Sequence, residues 1–212
     1  MYLTVLSILA AGILAIAWVS AIIFAKRKAL LEERLGRLAQ LRGGRVAPSP
    51  WHAYPIALIP GPGGDVQVSI RHAGHRGRPN RPFVRIAGKH CPRGSMSLER
   101  RSLKTSSSGS PKSSARFEEA FELQDPDRLS QRLITSELRD ALLAFDPKRR
   151  VSLHVGSGPP YRDGRWLMGE EEPQVEARLH QSRPEPEDFE RLVDLAFLLQ
   201  KQLAVHTSSA AA

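Results

Sequence analysis

The sequence is poor in cysteine, in aromatic residues and, over its first tenth, in charge. Cys91 is the single cysteine among 212 residues. That excludes an intramolecular disulfide framework and any zinc site built mainly from cysteines. Aromatic residues make up 6% of the chain, and only Phe83 stands near the basic stretches, whereas nucleic-acid readers usually add stacking aromatics to their positive charge. Several enzyme signatures are missing as well. No Gly-x-Ser-x-Gly elbow occurs. Gly61-Pro-Gly-Gly64 and Gly156-Ser-Gly158 lack the Lys-Ser/Thr of a phosphate-binding loop and read as turns. No cofactor is expected, and the chain does not read as an enzyme.

The absence of charge is concentrated. Tyr2 to Ala25 is a run of 24 uncharged residues dominated by Leu, Ile, Val and Ala. As a helix it would reach roughly 36 Å, enough to cross a hydrocarbon core of about 30 Å. A single transmembrane helix over residues 1–25 is therefore expected. A cleaved signal peptide, ending near Val19-Ser20-Ala21, is the alternative; it would require a positive leader and a shorter apolar core. Trp18 and Tyr2 suit the two interfaces.

The segment after this run is strongly basic. Residues 1–116 carry 19 Lys/Arg against 4 Asp/Glu, and residues 117–212 carry 12 against 18. The net charge of +9 is therefore the sum of two opposed regions. Lys26, Arg27 and Lys28 flank the span at once, and no Lys or Arg precedes it. The positive-inside rule puts the N-terminus outside and the C-terminal bulk in the cytoplasm, giving a single-pass protein of the cell membrane.

Residues 26–44 read as a basic juxtamembrane helix. Leu31, Leu35, Leu38 and Leu41 form a narrow stripe, and Gly43-Gly44 ends it. Two heptads are short for a coiled coil, so the stripe is expected to lie on the bilayer surface. A homodimer seam through residues 29–42 is the alternative.

Residues 45–205 read as one α+β domain, with a tail at 206–212. Strands are expected at 51–59, 66–71, 82–87, 117–123, 150–155, 165–168 and 175–179. Residues 89–116, rich in Ser and basic residues and poor in apolar ones, read as a disordered insertion. Asp125-Pro126 and Thr135 read as helix N-caps. Phe189, Leu192, Val193, Ala196, Leu199 and Leu203 fall at helical spacing and should pack on the sheet. The expected fold is a small, mainly antiparallel sheet with helices packed on one face.

One resemblance accompanies this pattern. Phe117-x-x-x-Phe121-x-Leu123, Asp125, Leu133-Ile-Thr-Ser-x-Leu138, Leu142-Leu143, Val151-x-Leu153, a Gly-rich turn and the helix from Phe189 to Leu203 resemble a bacterial family of membrane-anchored domains of unknown function. The resemblance covers roughly the last 90 residues and implies an α+β domain behind one or two spans. It carries no catalytic motif.

Two clusters are candidate sites. Arg71, Arg76, Arg78 and Arg81 belong to a basic loop tethered near the cytoplasmic leaflet. Attraction to anionic lipid head groups, about 1 kcal/mol per residue near the surface, accounts for them more simply than nucleic acid does. His72, His75 and His90 are imidazoles that zinc could use, but without a Cys-x-x-Cys clamp they read as loop histidines. The functional expectation is a membrane-anchored interaction or scaffold module with an unidentified protein partner. The alternatives are a membrane-tethered metal protein or enzyme and a nucleic-acid binder using the basic loop.

Overall fold

Forty consecutive residues without proline let a single helix, α1 (Tyr2–Leu41), run on from the apolar segment into the basic one. The computed structural model describes residues 2–50, 53–71, 81–87, 91–92, 94–101, 113–146, 149–156, 174–180 and 185–209. At 1.5 Å per residue α1 is about 60 Å long. It is the one described helix long and apolar enough to cross a membrane, and residues 9–21 are exposed along it.

The expectation that the leucine stripe rests on the bilayer is overturned. Leu31, Leu35 and Leu38 are buried in the domain's own core, with Ala39 beside them. They are therefore neither a free dimer seam nor a face resting on lipid. Only Leu41 of that stripe is exposed, at 74%. The 26–44 segment is not a separate unit but the first element of the domain. It ends as the two glycines require: Gly43 takes a φ of 69°, and Gly44 N–H donates to the Ala39 carbonyl at 2.7 Å. This is the Schellman arrangement, in which a residue without a Cβ turns left-handed.

Among the described residues eight strands follow: β1 (Arg45–Ala47), β2 (Ile56–Gly61), β3 (Gly64–Arg71), β4 (Arg81–Ala87), β5 (Met96–Arg100), β6 (Phe121–Gln124), β7 (Arg150–Gly156) and β8 (Gln174–His180). They form one antiparallel sheet in the order β1-β2-β3-β4-β8-β7-β5-β6. The fold is thus α+β, as the strand and helix pattern implied. Val66, Val68, Val84, Ile86, Val175, Ala177, Leu153, Val155 and Leu98 line one face. Against it lies α5 (Pro186–Ser209), whose Phe189, Leu192, Val193, Ala196, Leu199 and Leu203 are all buried. The helices α3 (Ser130–Leu133) and α4 (Ser136–Leu143) pack on α5. Thr135 caps α4 by accepting from Leu138 N at 3.4 Å.

Four expectations are corrected. The stretch 89–116 contains β5, which is paired on both sides and buries Met96 and Leu98; residues 102–112 of it lie outside the described residues. Apolar residues at alternate positions of one short strand suffice when both neighbours pair with it; a composition average over 28 residues hides them. Second, 117–123 is not one strand. α2 (Ser113–Ala120) leads directly into β6, and the Phe117 and Phe121 rings stack 4.8 Å apart, a contact that the i, i+4 spacing of a helical turn favours. Third, Asp125 does not put Pro126 inside a helix. Its carboxylate spans a turn to accept from Leu129 N (2.6 Å) and Ser130 N (2.7 Å) at the start of α3. Burial works to raise the Asp125 pKa, but these hydrogen bonds outweigh it and hold the carboxyl below its ordinary range. Fourth, α5 continues to Ser209 through residues expected to be tail. The expected strand at 165–168 lies outside the described residues.

Burial of the α1 leucines makes a direct prediction. Leu35 is fully buried (0% exposed) and Leu41 is exposed. Leu35→Ala should cost about 2–5 kcal/mol and Leu41→Ala under about 0.5 kcal/mol. Urea titration of the detergent-solubilised full chain compares the two. Equal effects would show that α1 does not share the domain core.

Candidate functional site

Strand alternation that puts aliphatic residues on one face sends their neighbours to the other. Here that second face is polar. The register aligns Gln67, Arg85, Glu176, His154, Ser97 and Gln124 in one row across six strands. A second row holds Ser69, Phe83, Arg178, Ser152, Glu99 and Glu122. A third pairs Arg71 with Arg81 and His180 with Arg150.

The first row contains a buried ion pair. Arg85 Nη2 donates to Glu176 Oε2 at 3.0 Å, with the two side chains 5% and 3% exposed. Arg178 bonds the other carboxylate oxygen of Glu176. The Arg85 guanidinium also lies over the Phe83 ring, 5.2 Å from its centroid. Phe83 is itself buried, so the one aromatic near the basic loop is not a stacking platform for a base. Buried charges of this kind persist only when paired and hydrogen-bonded.

Beside the ion pair runs a chain of serines and histidines. Ser97 Oγ lies 3.2 Å from His154 Nδ1, His154 Nε2 lies 3.2 Å from Ser152 Oγ, and Ser152 Oγ lies 2.9 Å from His180 Nε2. Glu99 stands 3.9 Å from His154 Nε2. Burial first, then the positive charges of Arg81, Arg150 and Arg178, push His180 down to about 4; Glu99 works the other way. His180 is therefore neutral at physiological pH.

The ends of the strands are polarised. One end is formed by the C-termini of β1, β3, β8 and β5 and the N-termini of β2, β4, β7 and β6. There six arginines lie at or next to a strand terminus: Arg71, Arg81, Arg100, Arg101, Arg149 and Arg150. The acids in the same positions are Glu99 and Glu122. At the opposite end these positions hold Asp65 and Asp125 against Arg45 of the edge strand. Two of the six arginines are structural. Arg100 donates to the Phe145 carbonyl at 2.7 Å behind the last turn of α4. Arg149 pairs with Glu185 at 2.8 Å and with the buried Asp188 at the start of α5.

The same basic end meets α1. Phe24 packs on Tyr54 with centroids 5.2 Å apart. Lys28 Nζ donates to the carbonyls of Ser49 (3.2 Å) and Pro50 (2.7 Å) in the connection between β1 and β2. Lys28, expected as a plain flanking charge, is thus a strut, while Lys26 and Arg27 are exposed. Arg71 and Arg81 are brought opposite each other. Arg76, Arg78, His72, His75 and His90 lie outside the described residues. Among the described residues no group of His, Cys, Asp and Glu is arranged to hold a metal. Cys91 is buried, with its Sγ 3.5 Å from the Ile86 carbonyl.

His154 and His180 belong to no short motif, so spacing between histidines does not single them out. Their signal is the strand alternation: Ser152 and His154 interleave with Val151, Leu153 and Val155, and Glu176, Arg178 and His180 interleave with Val175, Ala177 and Leu179. No protein-family model, curated protein or solved structure matches the chain.

Two outcomes are expected. Glu176→Leu leaves the Arg85 guanidinium buried without its carboxylate and should cost about 3–5 kcal/mol, whereas Arg85→Met with Glu176→Leu should recover most of it. Chemical denaturation of the wild type and the two variants measures this. For His180 the folded value lies below the ordinary 6.5, so the unfolded chain binds a proton that the folded chain refuses. Its contribution to stability is constant above about pH 6.5 and falls as pH drops toward 4. His180→Asn should flatten that fall in urea midpoints measured at pH 7 and pH 5.

Proposed function

We propose that this chain is a single-pass membrane protein whose α+β domain serves, without catalysis of its own, as an interaction module held at the cytoplasmic face, with its basic end toward anionic lipid head groups. One observation carries the reading. The end of the sheet that gathers the arginines is also the end that Phe24 and Lys28 of α1 touch, where the apolar run stops. A helix that shares its core with the domain cannot swivel freely, so the basic end stays next to the bilayer. Lys26, Arg27 and Lys28 directly after the span favour the N-out orientation. Each arginine near an anionic surface contributes about 1 kcal/mol, or roughly fivefold in partitioning.

Two measurements test this. A C-terminal phosphatase reporter, active only outside the cytoplasm, should be silent in cells while a fluorescent reporter at the same end shines; an active phosphatase reverses the orientation. Residues 29–212 retain Leu31, Leu35 and Leu38 and should float with vesicles containing phosphatidylglycerol but not with phosphatidylcholine vesicles. Arg71→Ala with Arg81→Ala should weaken that flotation by more than about tenfold at low salt. Equal binding to neutral vesicles would refute the lipid contact.

A further inference from the structure

At the basic end of the sheet His180 is surrounded by positive charge. Arg150 of β7 is its cross-strand partner. The β4–β8 register pairs Phe83 with Arg178, and two further residues bring Arg81 opposite His180. Arg178, whose Nε bonds Glu176 on the side away from His180 in sequence, precedes it by two positions on β8 and points to the same face. Among the described residues the acid acting on it is Glu99 of β5. Like charges in facing positions of a sheet oppose each other, and guanidinium groups match the geometry of phosphate oxygens.

We propose that Arg81, Arg150 and Arg178 form a site for a phosphate group around His180, and that His180 takes up a proton when the phosphate arrives. This rests on the reading that the basic end meets anionic groups. The phosphate belongs either to a lipid head group or to a soluble ion or ester; the chemistry recognised is the same.

The hydrogen-bond chain is built to accept that proton. Ser152 has one hydroxyl proton and two imidazole neighbours, so it donates to one and accepts from the other. With both histidines neutral, Ser97 donates to His154 Nδ1, His154 Nε2–H donates to Ser152, and Ser152 donates to His180 Nε2. One proton from solvent taken up at Ser97 Oγ moves each proton one place along: Ser97 passes its own to His154 Nδ1, His154 Nε2 passes its own to Ser152 and Ser152 passes its own to His180 Nε2, so that His180 then donates to Ser152, Ser152 to His154 Nε2 and His154 Nδ1 to Ser97. The chain gains one proton and no bond between heavy atoms changes. A bound dianion offsets the guanidinium field that keeps the imidazole neutral. By linkage, the protonated site then holds the anion more tightly.

The test uses the full chain in phosphatidylcholine nanodiscs, with inorganic sulfate as a probe whose charge is constant across the range. Calorimetric sulfate affinity should rise about tenfold between about pH 7.5 and pH 5.5. His180→Asn should lose the rise; Ser152→Ala, which interrupts the chain beyond His180, should reduce it. Arg150→Gln should weaken sulfate at both pH values. No sulfate binding at the lower pH, or an unchanged pH profile in His180→Asn, overturns the proposal. Inorganic phosphate should compete with sulfate. Nanodiscs containing phosphatidylglycerol that also displace sulfate identify the head group as the source, and failure of the lipid to compete assigns the site to a soluble phosphate. Sulfate binding that persists where the truncated domain fails to float would remove the membrane contact and leave the phosphate site.

Discussion

The structure depends on the burial of one helix face. Leu31, Leu35 and Leu38 lie on the same α1 whose earlier turns are exposed and apolar. A single rod therefore carries two apolar parts: the first is long and apolar enough to cross a membrane, and the second is buried in the domain core. A flexible linker after the span would let the domain tumble at the end of a tether. A continuous helix with fixed phase instead ties the direction of the apolar part to the orientation of the domain. Phe24 on Tyr54, Lys28 on the carbonyls of Ser49 and Pro50, and Arg42 on Asp194 at 2.8 Å spread the attachment along the helix. The distance from Phe24 to Arg42 is about five turns.

The sheet divides the remaining labour by face. Its aliphatic face, covered by α5, supplies the core; its other face carries Arg85, Glu176, Arg178, His154, Ser152 and His180. Burying that many polar groups is costly unless each is satisfied. Here the Arg85–Glu176–Arg178 cluster and the serine–histidine chain supply partners to one another. An apolar second face of similar volume would fold at least as well. A polar face therefore points to a role beyond stability, and the excess of arginine toward one end gives that role a direction.

Some of this was legible from residue order alone and some was not. The apolar run, the three-and-four spacing of Phe189 to Leu203, the alternation at Val151 to Val155 and Val175 to Leu179, the cap at Thr135 and the glycine stop at Gly43 are local patterns with local causes. They are readable because each element's neighbours in sequence are also its neighbours in space. β5 is hidden because its stability comes from β7 and β6, which lie far along the chain. The leucine stripe of α1 is recognisable as a stripe without its partner, since periodicity states that a face is buried and not against what. The arginine end had Arg71 and Arg81 as visible members, while Arg149 and Arg150 joined it only through strand order.

The sequence by itself determined the apolar helix, the basic flank behind it, the α+β class and the polar–apolar alternation of each strand. Those properties depend on side-chain chemistry at spacings of about two to four residues. The tertiary structure alone decided that α1 belongs to the domain core, that a buried ion pair and a serine–histidine chain share one sheet face, and that the arginines collect at the end touching α1. Those properties depend on register between strands as far apart in the chain as those of Arg85 and Glu176, and on the handing of each strand's direction to the next. No local pattern carries that information, because pairing is fixed by the whole sheet closing on one hydrophobic face.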